Sequence, residues 1–229
     1  MPMFPLGTVL VPTMVLPLHV FEPRYRRLVH DCLAGDGEFG VVLIERGSEV
    51  GGGDVRTDVG AVARILQAAE TPDGRFALAA VGVRRLLVER WLEDDPYPRA
   101  EVRDWPDPPT GADELGVHLG EAGDAGGAGP ASGAAAVGEA AAGRAAQVTA
   151  LLRRAAALSA ELGEPAPPLD LELSDDLTVA SYQATAVAPL GPADKQDLLR
   201  APSVPARFVA LVRLLRERTE LLEARLAGG

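Results

Sequence analysis

The sequence predicts an α+β fold: a closed or nearly closed antiparallel β-barrel with one embedded helix, followed by a helical bundle. Three observations predict it. Short apolar or alternating runs recur through residues 1–105 with turn signals between them, as in small antiparallel barrels. One amphipathic helical pattern interrupts those runs. From residue 145 onward the apolar residues fall at helical spacing, with Gly, Pro and Ser at the joints.

The elements follow in order. Pro5, Pro12 and Pro17 limit the ladder donors, so the first strands should be edge-like or bent. Pro17-Leu18-His19-Val20-Phe21 leads into a helix that starts at Pro23, and Phe21 can pack back on it as a hydrophobic staple. Tyr25, Leu28, Val29, Cys32 and Leu33 share one face of that helix, with Arg24, Arg27 and Asp31 opposite and Gly35 as the left-handed stop. Val41-Val42-Leu43-Ile44 reads as a buried strand. Strand patterns at 60–69 and 75–81 flank Pro72-Asp73-Gly74, where Asp-Gly supplies the positive φ of a tight hairpin. Gly82 then marks a bulge before 83–92. Around 99–103, Ala100 and Val102 point inward and Arg99, Glu101 and Arg103 outward.

Residues 106–144 run into an Ala/Gly-dominated tract that buries too little apolar surface to offset its ordering entropy, so a mobile linker is expected there. The helices follow. Residues 145–162 form the first, with Val148, Leu151, Leu152, Ala155 and Leu158 inward. Ser174 caps the second, whose first turn holds Asp175 and Asp176 and which ends before Pro189. A short one spans about 192–200. Ser203 and Pro205 open the longest, striped by Phe208, Leu211, Leu215, Leu222 and Leu226. The organisation expected is thus a barrel at 1–105, a linker at 106–144 and a bundle at 145–229.

Charge and composition narrow the function. The chain has 229 residues and a net charge of −11. Residues 106–173 carry 3 arginines against 10 acids and hold most of that surplus. An acidic balance repels phosphate backbones and argues against a nucleic-acid surface. The single lysine, Lys195, leaves no phosphate-loop ATPase, Ser-Lys protease or Schiff-base motif. One cysteine, Cys32, excludes an intramolecular disulfide or a multi-cysteine zinc site. The apolar N-terminus is broken by prolines and has no basic leader, so a soluble, cytoplasmic protein with no membrane role is expected.

No motif assembles a catalytic site. Gly35-Asp36-Gly37-Glu38-Phe39-Gly40 matches G-x-G-x-x-G, but it follows a helix and precedes a strand, the reverse of a dinucleotide loop. Gly51-Gly52-Gly53 reads as a loop tip. His19, His30 and His118 fit no metal or nucleophile pattern, and Cys32 reads as a buried, inert thiol. No catalytic residue, cofactor or metal is expected.

Two segments carry more information. Phe4-Pro5-Leu6, Pro12 and the run from Met14 through Phe21-Glu22-Pro23-Arg24-Tyr25 resemble the opening of the Lon protease N-terminal, substrate-binding domain. Phe39-Gly40-Val41-Val42-Leu43, Val59-Gly60-Ala61, Asp73-Gly74-Arg75 and Val81-Gly82-Val83-Arg84-Arg85 continue the resemblance, and Asp194-Lys195-Gln196-Asp197-Leu198-Leu199 resembles its helical part. The resemblance implies a PUA-like pseudo-barrel beside a helical bundle, standing alone without the ATPase and protease modules. It also implies a non-enzymatic module that binds exposed apolar segments of unfolded or client polypeptides, with a separate protease or chaperone as a further partner. Leu18, His19, Val20, Phe21 and Arg24 are the candidate peptide-binding residues, and the apolar ones among them are core if they are not exposed. An RNA-binding PUA-like module is the alternative; it requires a basic patch around Arg84, Arg85, Arg90 and Arg103.

Overall fold

A computed structural model describes residues 1–46, 55–108, 130–164, 166 and 170–228. In chain order the elements are β1 (Met3–Leu6), β2 (Val15–Val20), α1 (Pro23–Ala34), β3 (Glu38–Arg46), β4 (Val55–Glu70), β5 (Phe76–Leu92), β6 (Arg99–Asp104), α2 (Pro130–Glu161), α3 (Leu177–Val187), α4 (Pro192–Leu199) and α5 (Val204–Ala227). They group into two compact units. The first is Met1–Pro106 with Leu190–Arg200, and the second is Asp107–Pro189 with Ala201–Gly229.

In the first unit the strands form one sheet in the order β1-β3-β4-β5-β2, with β6 also paired to β5. The sheet is mixed, which corrects the expectation of a wholly antiparallel barrel: β1 runs parallel to β3. The chain between them passes through β2 and α1, long enough for the crossover that a parallel pair requires. Among the described residues the ladders do not close into a barrel, and an isolated bridge, Pro2 to Arg99, joins the start of the chain to β6. The proline-bearing strands β1 and β2 lie at the two ends of the order, where a missing N–H costs no ladder bond.

The long β4–β5 hairpin turns at Thr71-Pro72-Asp73-Gly74, with the Gly74 N–H donating to the Thr71 carbonyl and Gly74 at φ 76°. The register shifts opposite Gly82, the expected bulge. A Cβ there would meet the Val11 carbonyl oxygen at 2.2 Å, so glycine lets the segment before β2 lie directly on β5.

One core joins the inner sheet face to α1 through Leu16, Val20, Tyr25, Leu28, Val29, Cys32, Phe39 and Phe76. Leu33 is not part of it: it lies at the margin of the stripe, 48% exposed. The left-handed residue after α1 is Gly37 (φ 73°), not Gly35 (φ −108°), and both glycine N–H groups donate to the Cys32 carbonyl. α4 belongs to this unit and not with the other C-terminal helices. The Gln196 amide donates to the Val59 carbonyl at 2.9 Å, and Leu198 and Leu199 are buried.

In the second unit α2 packs with α5 and α3. Val148, Leu152, Ala155 and Leu158 of α2 are buried, as are Phe208, Leu211, Leu215 and Leu222 of α5. α2 begins at Pro130, well before residue 145, and its 32 residues make it longer than the 24-residue α5. Alanine's helix propensity outweighs the few interrupting glycines along it. Residues 109–129 of the expected linker, with His118 and Gly51-Gly52-Gly53, lie outside the described residues. α3 is capped by Asp176, whose carboxylate accepts from Thr178 and Val179 N–H, and not by Ser174. Arg207 of α5 is fully buried. It donates to Ser181 Oγ at 2.8 Å, Asp107 Oδ1 at 2.6 Å and the Tyr182 hydroxyl at 3.2 Å, and its plane lies over the Tyr182 ring. No helix among the described residues is long and apolar enough to cross a membrane.

Candidate functional site

The end of β2 carries the candidate site. β2 pairs with β5 on one side, and its residues alternate as a strand must: Leu16 and Val20 are buried, Leu18 is half-buried, and Val15, Pro17 and His19 are exposed. The strand stops at Val20 because Glu22 and Pro23 open α1. Phe21, between the two elements, is 54% exposed, so it does not act as a staple.

Two hollows meet on residues 19–21. The larger, about 440 Å³, lies between His19, Val20 and Phe21 on one side and the hairpin residues Thr71–Asp73 and Arg75–Ala77 on the other. The smaller, about 90 Å³, runs over Phe4, Leu6, Leu18 and Tyr25. The larger volume is within the range of ordinary ligand pockets. Phe76 forms its floor and is fixed from behind by His30, edge-on at 5.0 Å. At the rim the Thr71 hydroxyl and the Arg75 N–H both donate to the Asp73 carboxylate, which Arg75 also pairs at 3.0 Å. The Thr71 hydrogen bond above all holds the Asp73 carboxyl below its usual range.

Four of the five candidate residues therefore line the hollows. His19, Val20 and Phe21 touch both, Leu18 touches the smaller, and Arg24 touches neither. Arg24 pairs with Glu22 at 3.1 Å and stacks over Tyr25. The contribution of the hairpin was not foreseen. The pairing of Val20 with Phe76 sets it beside Phe21, and pairing between distant strands leaves no local trace in sequence.

The arginines required for a basic patch are engaged. Arg84 pairs with Glu38 and Asp104, Arg90 with Glu101, and Arg103 with Glu89. Arg85 is buried, donates to the Leu199 carbonyl and stacks on Trp105. Cys32 lies on the buried face of α1 with its thiol donating to the Glu38 carbonyl, and burial pushes its pKa up to about 12. Lys195 is half-buried on α4, and desolvation lowers its pKa. Among the described residues no group of three or more His, Cys, Asp and Glu side chains could hold a metal ion.

Comparison with known proteins bears on this geometry. Residues 1–217 match the family model described as the ATP-dependent protease La (LON) substrate-binding domain. The chain is 22% identical over 227 residues to "Lon protease 1" of Herpetosiphon aurantiacus, which covers 95% of this chain and 24% of that protein. It is 35% identical over 105 residues to "Lon protease" of Cytophaga hutchinsonii, covering 44% of this chain and 13% of that protein. It thus spans about a quarter or less of the curated relatives it matches. Among solved structures, the Lon N-terminal domain protein from Xanthomonas campestris is similar with a TM-score of 0.56 and 25% identity, over 93% of this chain and 96% of that one. The N-terminal domain of Mycobacterium avium complex Lon protease has a TM-score of 0.58 at 20% identity, over 96% and 97%, a likeness of fold.

Proposed function

The chain belongs to the family of the ATP-dependent protease La (Lon) substrate-binding domain, and we propose that it is a non-enzymatic module that binds client polypeptides through the end of β2. One observation carries the placement. The segment that resembles the family's opening carries Phe21, a half-exposed aromatic between two hollows. An apolar side chain of an unfolded client would enter the larger hollow against Phe76 and Phe21, while its backbone could add to the outer edge of β2. Leu18, His19 and Val20 form the wall; Arg24 supports the helix start through its pair with Glu22. The sheet, bent and bridged between Pro2 and Arg99, is read here as a PUA-like pseudo-barrel. A separate protease or chaperone would receive the client, in the cytoplasm.

Titration with a reduced, carboxymethylated model protein tests this reading. Saturable binding at tens of micromolar is expected, at about the strength that a few buried apolar side chains supply. Phe21→Asp should weaken it about tenfold with the melting temperature unchanged, since the ring is mostly in water already. Absence of binding, or equal binding by the variant, overturns the placement.

A further inference from the structure

The outer edge of β2 carries backbone groups that the fold itself does not use. The Gly82 N–H donates to the Met14 carbonyl, and from there the two strands pair in register, Val15 opposite Val81 through Val20 opposite Phe76. Backbone groups alternate in direction along a strand. Leu16, Leu18 and Val20 therefore turn their N–H and C=O toward β5, while Val15, Pro17 and His19 turn theirs outward. β2 stands at the end of the strand order, and none of these outward groups has a hydrogen-bond partner among the described residues. All three residues are exposed. Val15 and His19 each present a donor and an acceptor, but they stand about 14 Å apart along the strand. Pro17 between them presents its carbonyl alone, and its ring carbon stands where an N–H would meet an incoming carbonyl. His19 lines both hollows at the end of the strand, whereas Val15 and Pro17 line neither.

We propose that Pro17 limits the length of polypeptide that this site reads, so that it takes short extended apolar segments and not long β-strands. This limit rests on the placement of the client at the end of β2. Running in either direction, a client strand accepts from the His19 N–H and donates to the His19 and Pro17 carbonyls over about three residues. Its next carbonyl meets the proline ring and finds no donor, so the ladder ends before it reaches Val15. A proline on an edge strand opposes extension of the sheet. Here it stands beside a hollow, and it shortens the contact without closing the edge. Affinity is then left mainly to the side chain in the hollow, and release stays fast.

The test titrates the whole chain, isotopically labelled, with two blocked peptides: Thr-Leu-Thr, and a nonapeptide with the same leucine at its centre and threonine elsewhere. The parent should bind both with affinities equal to within about twofold, shifting the His19 amide and leaving that of Val15 in place. Pro17→Val restores the missing donor and should bind the nonapeptide at least about tenfold more tightly than the tripeptide, with the Val15 amide now shifted. Val15→Pro should change nothing in the parent, and should remove most of the gain when combined with Pro17→Val. A parent that prefers the nonapeptide about tenfold, or a Pro17→Val chain that binds both peptides alike, overturns the proposal. The first of these comparisons needs no variant. Phe21→Asp separates the length limit from the placement at the hollow. It should weaken both peptides alike; if it weakens neither, the hollow placement falls while the length comparison still reads Pro17. If the parent binds neither peptide, binding of the nonapeptide by Pro17→Val upholds the block at Pro17, and its absence overturns it.

Discussion

Two fully buried polar side chains, one in each compact unit, are treated in opposite ways. Arg207 in the helical unit has its donors spread over a hydroxyl, a carboxylate and a phenol, and a ring beneath its plane. Gln196 in the strand unit has one partner for its N–H and none for its oxygen. The first arrangement is what a structural polar cluster needs, because a buried charge is tolerated when every donor is answered. The second is left incomplete at the wall of a hollow. Arg207 is answered within its own unit, while the strand unit has an exposed phenylalanine and three hollows among its described residues.

The largest effect should come from breaking the completed cluster. Arg207→Met keeps much of the volume but strands the Asp107 carboxylate, itself 5% exposed, beside the Tyr182 hydroxyl. Loss of one partner from a buried pair costs about 3–5 kcal/mol. Denaturant unfolding followed by far-UV circular dichroism should show that loss, and the pair Asp107→Leu with Arg207→Met should recover much of it. A cost for Arg207→Met under about 1 kcal/mol would mean the cluster is not sealed.

The matching change in the strand unit should be mild. Gln196→Met removes the donor to the Val59 carbonyl, but that oxygen keeps the Thr57 hydroxyl at 3.0 Å. The substitution also deletes the unanswered oxygen. The net cost should be about 1 kcal/mol at most, since a neutral hydrogen bond contributes little and the orphan disappears. A cost equal to that of Arg207→Met would erase the distinction between the two units.

Much of the strand unit was legible in the sequence because its signals are local. Pro23 at the helix start, Gly74 at the hairpin and Gly82 at the bulge each mark a backbone need that few residues meet. The candidate segment Leu18–Phe21 came from family resemblance, and it lines the hollows at the end of β2. What was not legible depends on partners far along the chain. β1 parallel to β3, the hairpin beside Phe21 and the membership of α4 are all set by pairing across tens of residues. Arg85 looks like a surface charge in sequence, since nothing local to it names the indole that receives it.

A third case lies between the two buried groups and should give the smallest effect. Glu38 of β3 has an 8% exposed side chain, yet its partners Arg64 and Arg84 reach it from solvent at 2.7 and 2.8 Å. Arg84 first, and Arg64 after it, hold its carboxyl below the ordinary value of 4.5, against the opposing effect of burial. A lowered folded-state value means that the ionised form stabilises the fold above the unfolded value, and that this contribution is lost as pH falls through the folded one. Glu38→Gln should therefore cost about 0.5 kcal/mol at neutral pH, because pairs with solvent-exposed arginines are screened. The difference from the parent should shrink as pH drops below 4.5 and vanish once the carboxyl is protonated in both states. Unfolding midpoints across that range measure it: a gap that stays constant with pH would show that shape, not charge, gives Glu38 its role. A gap as large as that of Arg207→Met would place Glu38 among the sealed clusters and move the boundary between the two treatments into the strand unit itself.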